Sequence, residues 1–474
     1  MRNVHTAHEI RAAEASMMAT LPEGALMRRA AHGLSVHCEQ LLGRVYGARV
    51  VLLVGNGANG GDALFAGARL STLGADVRAV LLDPRRAHAA GLDRFRRDGG
   101  RVVTGPLTAG VSGADLVLDG IVGIGGSGPL RGAAVELAAA AAQTLTVAVD
   151  VPSGVDADTG WVGEHAVRAD VTVTFGALKP GLVCGAGMAN VGQLRLVDIG
   201  LGPHLPQGRL SVLESADVAA LLPHPGADDD KYTRGVLGVV AGSESYPGAG
   251  VLATGGAVHG GVGMVRYLGL APGAVHGRFP EVVGHPDAEP HDVQVQAWVV
   301  GPGLGTDADA MRLLTDVLKS DVPVIVDADA ITILARSPGL VRGRSAPTVL
   351  TPHDREFARL FFPLTADRVA SARRAAAELG ATVLLKGNAT VVAAPDGHAY
   401  VNTTGTPWLA TAGSGDVLSG LIGALLAGGL DAPLAAAAAA HVHGVAGQLA
   451  AVAGPPSAAD VLDAIRPALR AVAG

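Results

Sequence analysis

At 474 residues the chain is long enough for two or three domains, and 49% hydrophobic against 17% charged residues excludes wholesale disorder. Its 67 glycines and 27 prolines keep no period, which excludes a collagen-like chain. A net charge of −7, with acidic and basic residues interspersed, leaves no basic footprint for nucleic acid.

In chain order, two amphipathic helices come first, over 5–19 and 25–42, with Ile10, Ala13, Met17 and Leu26, Ala30, Leu34 at helical spacing. Short β-branched runs follow at 49–54, 77–82, 115–119, 145–150, 171–175 and 194–198, separated by alanine-rich stretches of helical length. A second series runs through 236–240, 297–300, 322–326, 348–350, 382–385 and 390–394. Strands alternating with helices predict parallel α/β sheets covered on both faces. Between the series, 200–230 is rich in Pro, Gly, Asp and His, and the boundary is placed there, giving domains 1–206 and 207–474. The arginines between 85 and 101 are interleaved with Asp93 and Asp98 and read as a solvated helix face.

The apolar stretch 417–430 is glycine-broken and bracketed by Asp416 and Asp431, too short to cross a bilayer. The N-terminus carries Arg2, His5, Glu9, Arg11 and Glu14 and lacks the apolar core of a signal peptide. Cys38 and Cys184 form neither a disulfide framework nor a zinc site. The expectation is a cytoplasmic enzyme acting on small molecules, without membrane or nucleic-acid partners; assembly into a homo-oligomer is left open.

Strand 49–54 runs into Gly55-Asn56-Gly57-Ala58-Asn59-Gly60-Gly61-Asp62, with a helix over 63–70. Such a turn lets backbone N–H groups approach a phosphate at the positive end of a helix, although Asp62 sits where an anion would be repelled. Taken alone it is as readily a tight strand-to-helix connection. Two further strand ends strengthen the functional reading. Asp119 precedes Gly120-Ile121-Val122 and Gly123-Ile124-Gly125-Gly126-Ser127-Gly128-Pro129, and Asp150 leads into Val151-Pro152-Ser153. Carboxyl ends of parallel strands gather at one sheet edge, so Asn59, Asp119, Asp150 and Ser153 are expected to meet. Oxygen ligands without His or Cys suit a hard cation, and Asp150 is a candidate proton shuttle.

In the second half, Thr411-Ala412-Gly413-Ser414-Gly415-Asp416 is the most specific segment. Two glycines bend the backbone, a helix starts near Gly415, and Asp416 in its first turn can take a proton while the helix end neutralises phosphoryl charge. Helix capping is the bland alternative. Gly301-Pro302-Gly303-Leu304-Gly305, Thr351-Pro352-His353-Asp354-Arg355-Glu356 and Lys386-Gly387-Asn388-Ala389-Thr390 also follow or link strands, which places all four motifs on one edge. Asp327 and Asp329 line that edge or cap a strand end. His441 and His443, two apart on a helix, face different ways and read as packed or solvated rather than as a metal pair. Asp228-Asp229-Asp230 needs no ligand as a polar run.

GNGANGGD, VLDGIVGIGGSG and VDVPSGVDADTG resemble the N-terminal epimerase domain of bifunctional NAD(P)HX repair enzymes. VGPGLGT, TPHDREF, KGNAT and AGSGDVLSG resemble the ribokinase-like superfamily, and within it the NAD(P)HX dehydratase domain. The resemblance implies a Rossmann-like parallel sheet followed by a ribokinase-like α/β/α domain. It implies K⁺ held by Asn59, Asp119 and Ser153, and the hydrated cofactor held by Ala58, Asn59, Gly60, Gly61, Asp62, the segment Gly123 to Pro129, and Asp150. In the second domain it implies Lys386, Gly387, Asn388, Ala389, Thr390 and Gly415 for the adenine nucleotide. Ala249, Gly305, His353 and Asp416 are implied for the hydrate, and Glu356 for Mg²⁺. Ala58 replaces the first of two asparagines usual in the family's loop, and Arg355 replaces a glycine. The implied activities are interconversion of R and S hydrates of NADH or NADPH, and dehydration of the S form with ADP converted to AMP and phosphate. Asp416 and Asp150 are the implied catalytic groups. The alternative is a ribokinase-like small-molecule kinase preceded by a non-catalytic binding domain; it leaves the first half unexplained.

Overall fold

The computed structural model describes the chain apart from Gly105, Ser127 and Pro286, together with the side chain of Ala109. The expected site residue Ser127 therefore lies outside the described residues. The chain divides into two compact units, Asn3–Gly208 and Arg209–Gly474, with Met1–Arg2 belonging to the second.

The first unit is built on a seven-stranded parallel sheet. Its spatial order is Arg101–Val102, Asp76–Leu81, Arg49–Val54, Leu116–Gly120, Thr146–Val149, Val171–Phe175, Gln193–Val197. The central strands are continuous apolar runs because each feeds two cores. Val50, Leu52 and Val54 join one cluster with Leu116 and Leu118, while Val51, Leu53 and Val117 join another. Helices Ala25–Leu42 and Ala58–Thr72 cover the first face and Ala133–Ala141 the second. Ala25–Leu42 turns Ala30, Leu34 and Cys38 inward, four residues apart. The strand order reverses direction between Arg49–Val54 and Leu116–Gly120, and a crevice opens beyond the carboxyl ends of strands at such a point.

Within the second unit the sheet runs in the order Leu210–Val212, Ala399–Asn402, Thr390–Ala393, Thr382–Leu385, Thr348–Leu350, Val324–Val326, Ala297–Val300, Val236–Val240, Met264–Tyr267, Val283–Gly284. It is mixed rather than wholly parallel. Thr390–Ala393 runs antiparallel to both neighbours, since the short link Lys386–Ala389 permits only a hairpin. Leu210–Val212 and helix Ser215–Leu221 lie inside the stretch read as a junction, where flanking prolines mask a three-residue strand.

Two cores again lie on opposite faces, with Leu237, Val239 and Val299 in one and Val240, Trp298 and Val300 in the other. Helices Pro247–His259, Ser414–Ala427, Ala432–Ala450 and Ala458–Ala473 cover the first face, and Ala308–Leu318 with Asp329–Leu334 the second. Pro247–His259 and Ser414–Ala427 approach so closely that a Cβ at Gly420 would lie 1.9 Å from the Ala253 carbonyl oxygen. A Cβ at Gly256 would lie 2.2 Å from that of Val417. The segment Ala432–Ala453 is long and apolar enough to cross a membrane by composition, but 67% of its most apolar window is buried inside the protein.

Candidate active sites

In the first unit, helix Ala58–Thr72 begins at Ala58, five residues earlier than the apolar spacing indicates, so Ala58 to Asp62 form its opening turns. In the loop before it, Gly55 has no room for a side chain: a Cβ there would lie 1.8 Å from the Ile121 carbonyl oxygen. Asn59 and Asp62 are consequently buried. The Asn59 Nδ2 and the Asp62 Oδ1 find no hydrogen-bond partner among the described residues.

Asp119 is fully buried at its strand end. It accepts from the Ser153 hydroxyl at 2.6 Å, the Ser153 amide at 2.8 Å and the Ile121 amide at 3.3 Å. Burial pushes its carboxyl up to about 6 against the lowering effect of those bonds. The Val122 amide donates to Ser153 Oγ at 2.9 Å, and a Cβ at Gly123 would sit 2.9 Å from Asn59 Oδ1. Three separate segments thus bring Asn59, Asp119 and Ser153 into one neighbourhood.

Asp150 has φ 66°, a left-handed conformation rare outside glycine and a sign of local strain. Lys179, 1% exposed, donates to Asp150 Oδ1 at 2.5 Å, Thr174 Oγ1 at 2.7 Å and the Phe175 carbonyl at 3.0 Å. Thr174 Oγ1 and the Phe175 amide also donate to Asp150 Oδ1. Sequence reasoning passed over Lys179, although it follows Val171–Phe175, the next carboxyl end on the same edge.

A cavity of about 620 Å³ opens beside these groups; Asp119, Ser153 and Lys179 lie behind its lining rather than in it. Ala58, Asn59, Asp62, Gly123, Ile124, Gly125, Gly126 and Asp150 line it, whereas Gly60, Gly61, Gly128 and Pro129 do not. Glu14, from helix Ala7–Met18, also lines it and was not expected there. Asp62 was expected to repel an anion. Burial, and then the charges of Asp150 and Glu14, hold its carboxyl well above the usual carboxylate range and favour the neutral form.

In the second unit, Gly413 (φ 90°) precedes helix Ser414–Ala427, and Asp416 sits in its first turn. Burial pushes the Asp416 carboxyl up to about 7, reinforced by Asp327, Asp329 and Glu356 and opposed by Lys386. The Lys386 ammonium pairs with buried Asp327 at 2.9 Å, and Ser419 Oγ donates to the other Asp327 oxygen at 2.6 Å. A Cβ at Gly415 would meet Lys386 Nζ at 3.3 Å, which puts the ammonium beside the glycine turn. Asp327 therefore lies within the site rather than capping a strand.

His353 is the N-cap of helix Asp354–Leu360. Its Nδ1 accepts from the amides of Arg355 at 3.1 Å and Glu356 at 3.2 Å, leaving the ring proton on Nε2. Glu356 Oε2 accepts from the His353 amide at 2.9 Å. Arg368, unflagged by any motif, donates to the Lys386 carbonyl at 2.8 Å and pairs with Asp354 at 2.9 Å, tying the hairpin to this helix. The Gly305 amide donates to Asp329 at 2.9 Å, and Ala249 lies against Gly303, 2.7 Å from a Cβ placed there. Thr390 Oγ1 reaches the Gly387 carbonyl at 3.5 Å, and the Asn388 carbonyl lies 2.7 Å from a Cβ at Gly405. His441 bonds Ser215 Oγ at 3.2 Å, whereas buried His443 is held near Ser414; they do not share a ligand position.

A family model described as NAD(P)H-hydrate dehydratase matches residues 237–465, and one described as YjeF-related protein N-terminus matches 23–181. The chain is 52% identical over 485 aligned residues to the bifunctional NAD(P)H-hydrate repair enzyme Nnr of Mycobacterium leprae, covering 100% of both. It is 53% identical to that of Mycobacterium tuberculosis over 444 residues, covering 92% of each. An ADP/ATP-dependent NAD(P)H-hydrate dehydratase from Bacillus subtilis, co-crystallised with ATP and Mg²⁺, superposes with TM-score 0.51 at 30% identity, covering 55% of this chain and 98% of that one. A ribokinase-like superfamily protein from Enterococcus faecalis superposes with TM-score 0.52 at 26% identity, covering 57% and 98%. The chain belongs to the family of bifunctional NAD(P)H-hydrate repair enzymes, an epimerase domain followed by a ribokinase-like dehydratase domain.

Proposed function

We propose that the first unit interconverts R and S hydrates of NADH and NADPH and that the second dehydrates the S form, with ADP as phosphoryl donor. The observation that carries the second step is Asp416, a carboxyl pushed up to about 7 at the opening of a glycine-capped helix beside the Lys386–Asp327 pair. Hydroxide is a poor leaving group. Asp416 takes the proton of the C6 hydroxyl as its oxygen attacks the terminal phosphoryl of ADP, releasing AMP. Phosphate then leaves from C6 with the C–O electron pair, the C5 proton is lost to the departing phosphate or to solvent, and the C5–C6 double bond returns. Lys386 and the helix amides balance charge on the transferring group, which is where phosphoryl transfer gains most of its rate. Lys386 to Thr390 and Gly415 hold the nucleotide, and Ala249, Gly305 and His353 hold the hydrate. The carboxylate oxygens of this edge fit Mg²⁺, with Glu356 as its holder; the ion would neutralise phosphate charge. Incubation with mixed hydrates, ADP and Mg²⁺ tests the whole reading: full recovery of NADH requires both activities, and recovery of only the S fraction removes the first. No observation favours the small-molecule kinase alternative.

In the first unit, Asn59, Asp119 and Ser153 offer amide, carboxylate and hydroxyl oxygens, a weakly charged set that fits K⁺ better than Mg²⁺. A monovalent cation there would favour ionised Asp119, whose burial otherwise raises it to about 6. Its chemistry would be to fix the Gly57–Asp62 turn. Asp119→Ala should abolish epimerisation while dehydration of pure S hydrate stays unchanged. Equal epimerase rates in K⁺ and in a bulky organic cation count against the ion. Cys38 and Cys184 are both buried, and a cytoplasmic setting belongs to this reading.

The division at Arg209 supports independent domains, each with its own sheet, cores and site residues. A fragment spanning residues 209–474 should dehydrate the S hydrate alone, read by NADH absorbance. Activity only on co-expression with 1–208 would show one interdependent enzyme.

A further inference from the structure

Helix Ala7–Met18 brings to the first cavity a residue that the reading above leaves idle. Glu14 shares the cavity wall with Asp62 and Asp150. Of these three carboxyls, among the described residues, only Asp150 pairs with a buried cation, Lys179 at 2.5 Å. Arg11, on the same helix, directs its guanidinium to the carbonyls of Ala7 and Ile124, both at 3.2 Å. Asp62 is 8% exposed, and its buried Oδ1 has no hydrogen-bond partner among the described residues. Asp62 lines the cavity while one of its carboxyl oxygens is buried without a partner, an arrangement that favours the protonated, hydrogen-bond-donating form. Neighbouring carboxyls without cations of their own share protons rather than ionise together. Burial followed by the charge of Asp150 raises both Glu14 and Asp62, with Lys179 and Arg11 opposing the shift at Glu14.

We propose that Glu14 and Asp62 form the acid pair of the epimerase, Asp62 donating to the substrate and Glu14 acting through it as a positioning and proton-relay residue. The inference rests on the epimerase reading of this cavity. Epimerisation at C6 then proceeds without any oxidant or reductant. Asp62 gives its proton to the C6 hydroxyl, the C6–O bond breaks with its electron pair leaving on water, and the ring nitrogen lone pair forms the C=N bond. Water returns to the opposite face and forms the new C6–O bond. Its surplus proton passes to the carboxylate left on Asp62 or to Asp150, and Glu14, partly exposed, restores the original proton distribution from solvent.

The test compares Glu14→Gln and Glu14→Asp in the full chain, measuring R-to-S conversion of NADHX across the neutral pH range above the uncatalysed rate. Glu14→Gln should lower the epimerase kcat about tenfold or more with little change in KM, and Glu14→Asp should restore most of it. The negative field of Glu14 helps Asp62 keep its proton, so removing that field moves the alkaline limb of the rate profile to lower pH. Two outcomes overturn the proposal: a Glu14→Gln kcat near wild type with an unmoved alkaline limb, or a raised KM at unchanged kcat. The wild-type rate checks the epimerase reading separately.

Discussion

Asp416→Asn should reduce dehydration of the S hydrate by about two orders of magnitude or more, the scale of general-base catalysis, while nucleotide binding persists. Asparagine keeps the size and place of the side chain at the helix opening but cannot accept the hydroxyl proton. The base form of Asp416 exists above its pKa, so wild-type kcat/KM for the hydrate should fall as pH drops through about 7, and the variant should lack that limb. The sign for stability is opposite. The folded state holds this proton more tightly than the unfolded chain does, so the stabilisation is full in acid and is lost as pH rises through about 7. Asp416→Asn never undergoes that loss and should melt no lower than wild type at alkaline pH, which separates lost chemistry from lost fold. A variant within a few-fold of wild type in stopped dehydration assays would place the base elsewhere.

Lys179→Met should be the most damaging single change in the first unit. Lys179 is 1% exposed, and all three of its hydrogen bonds are to buried groups around Asp150. Its removal leaves the buried Asp150 carboxylate without a cation, with only the Thr174 hydroxyl and the Phe175 amide still donating to it, which destabilises by about 3–5 kcal/mol. Calorimetry on the full chain should show one of two transitions moving down while the other stays, and epimerisation should vanish with dehydration retained. The double variant Asp150→Asn, Lys179→Met removes both charges together and should regain much of the stability but none of the epimerase activity. If the double variant is as unstable as the single one, Lys179 contributes through packing of its stem rather than through its charge.

Much of this protein is written locally. The apolar runs at 49–54 and 236–240 are strands because they feed cores on both faces, and that requirement is visible in the Val and Leu that fill 50–54 and flank Gly238. The helix over 25–42 is legible because Ala30, Leu34 and Cys38 repeat on one face. The glycine turns of both sites are legible as motifs, and at Gly55, packed on the Ile121 carbonyl, the structure gives the reason that no side chain fits. Short elements were not legible: Leu210–Val212 among prolines, and Met264–Tyr267, whose Arg266 breaks an apolar run, are strands because a neighbouring strand completes their hydrogen bonds. The antiparallel hairpin after Lys386 is likewise decided by pairing rather than composition.

The sites divide in the same way. Motifs single out Asp119, Asp150, Lys386 and Asp416 as candidates, but the groups that surround each of them are not part of any motif. Lys179 against Asp150, Arg368 against Lys386 and Asp354, and Glu14 beside Asp62 lie 29, 18 and 14 residues, and 48 residues, apart in the chain. No local spacing encodes such pairs; chain reversal through sheet and helix brings them together. Composition, strand spacing and motifs are enough to read two α/β domains and the glycine-rich loops at their strand ends. Only the tertiary structure decided which carboxyls are paired and which keep their protons, because desolvation and neighbouring charge arise from packing between distant segments.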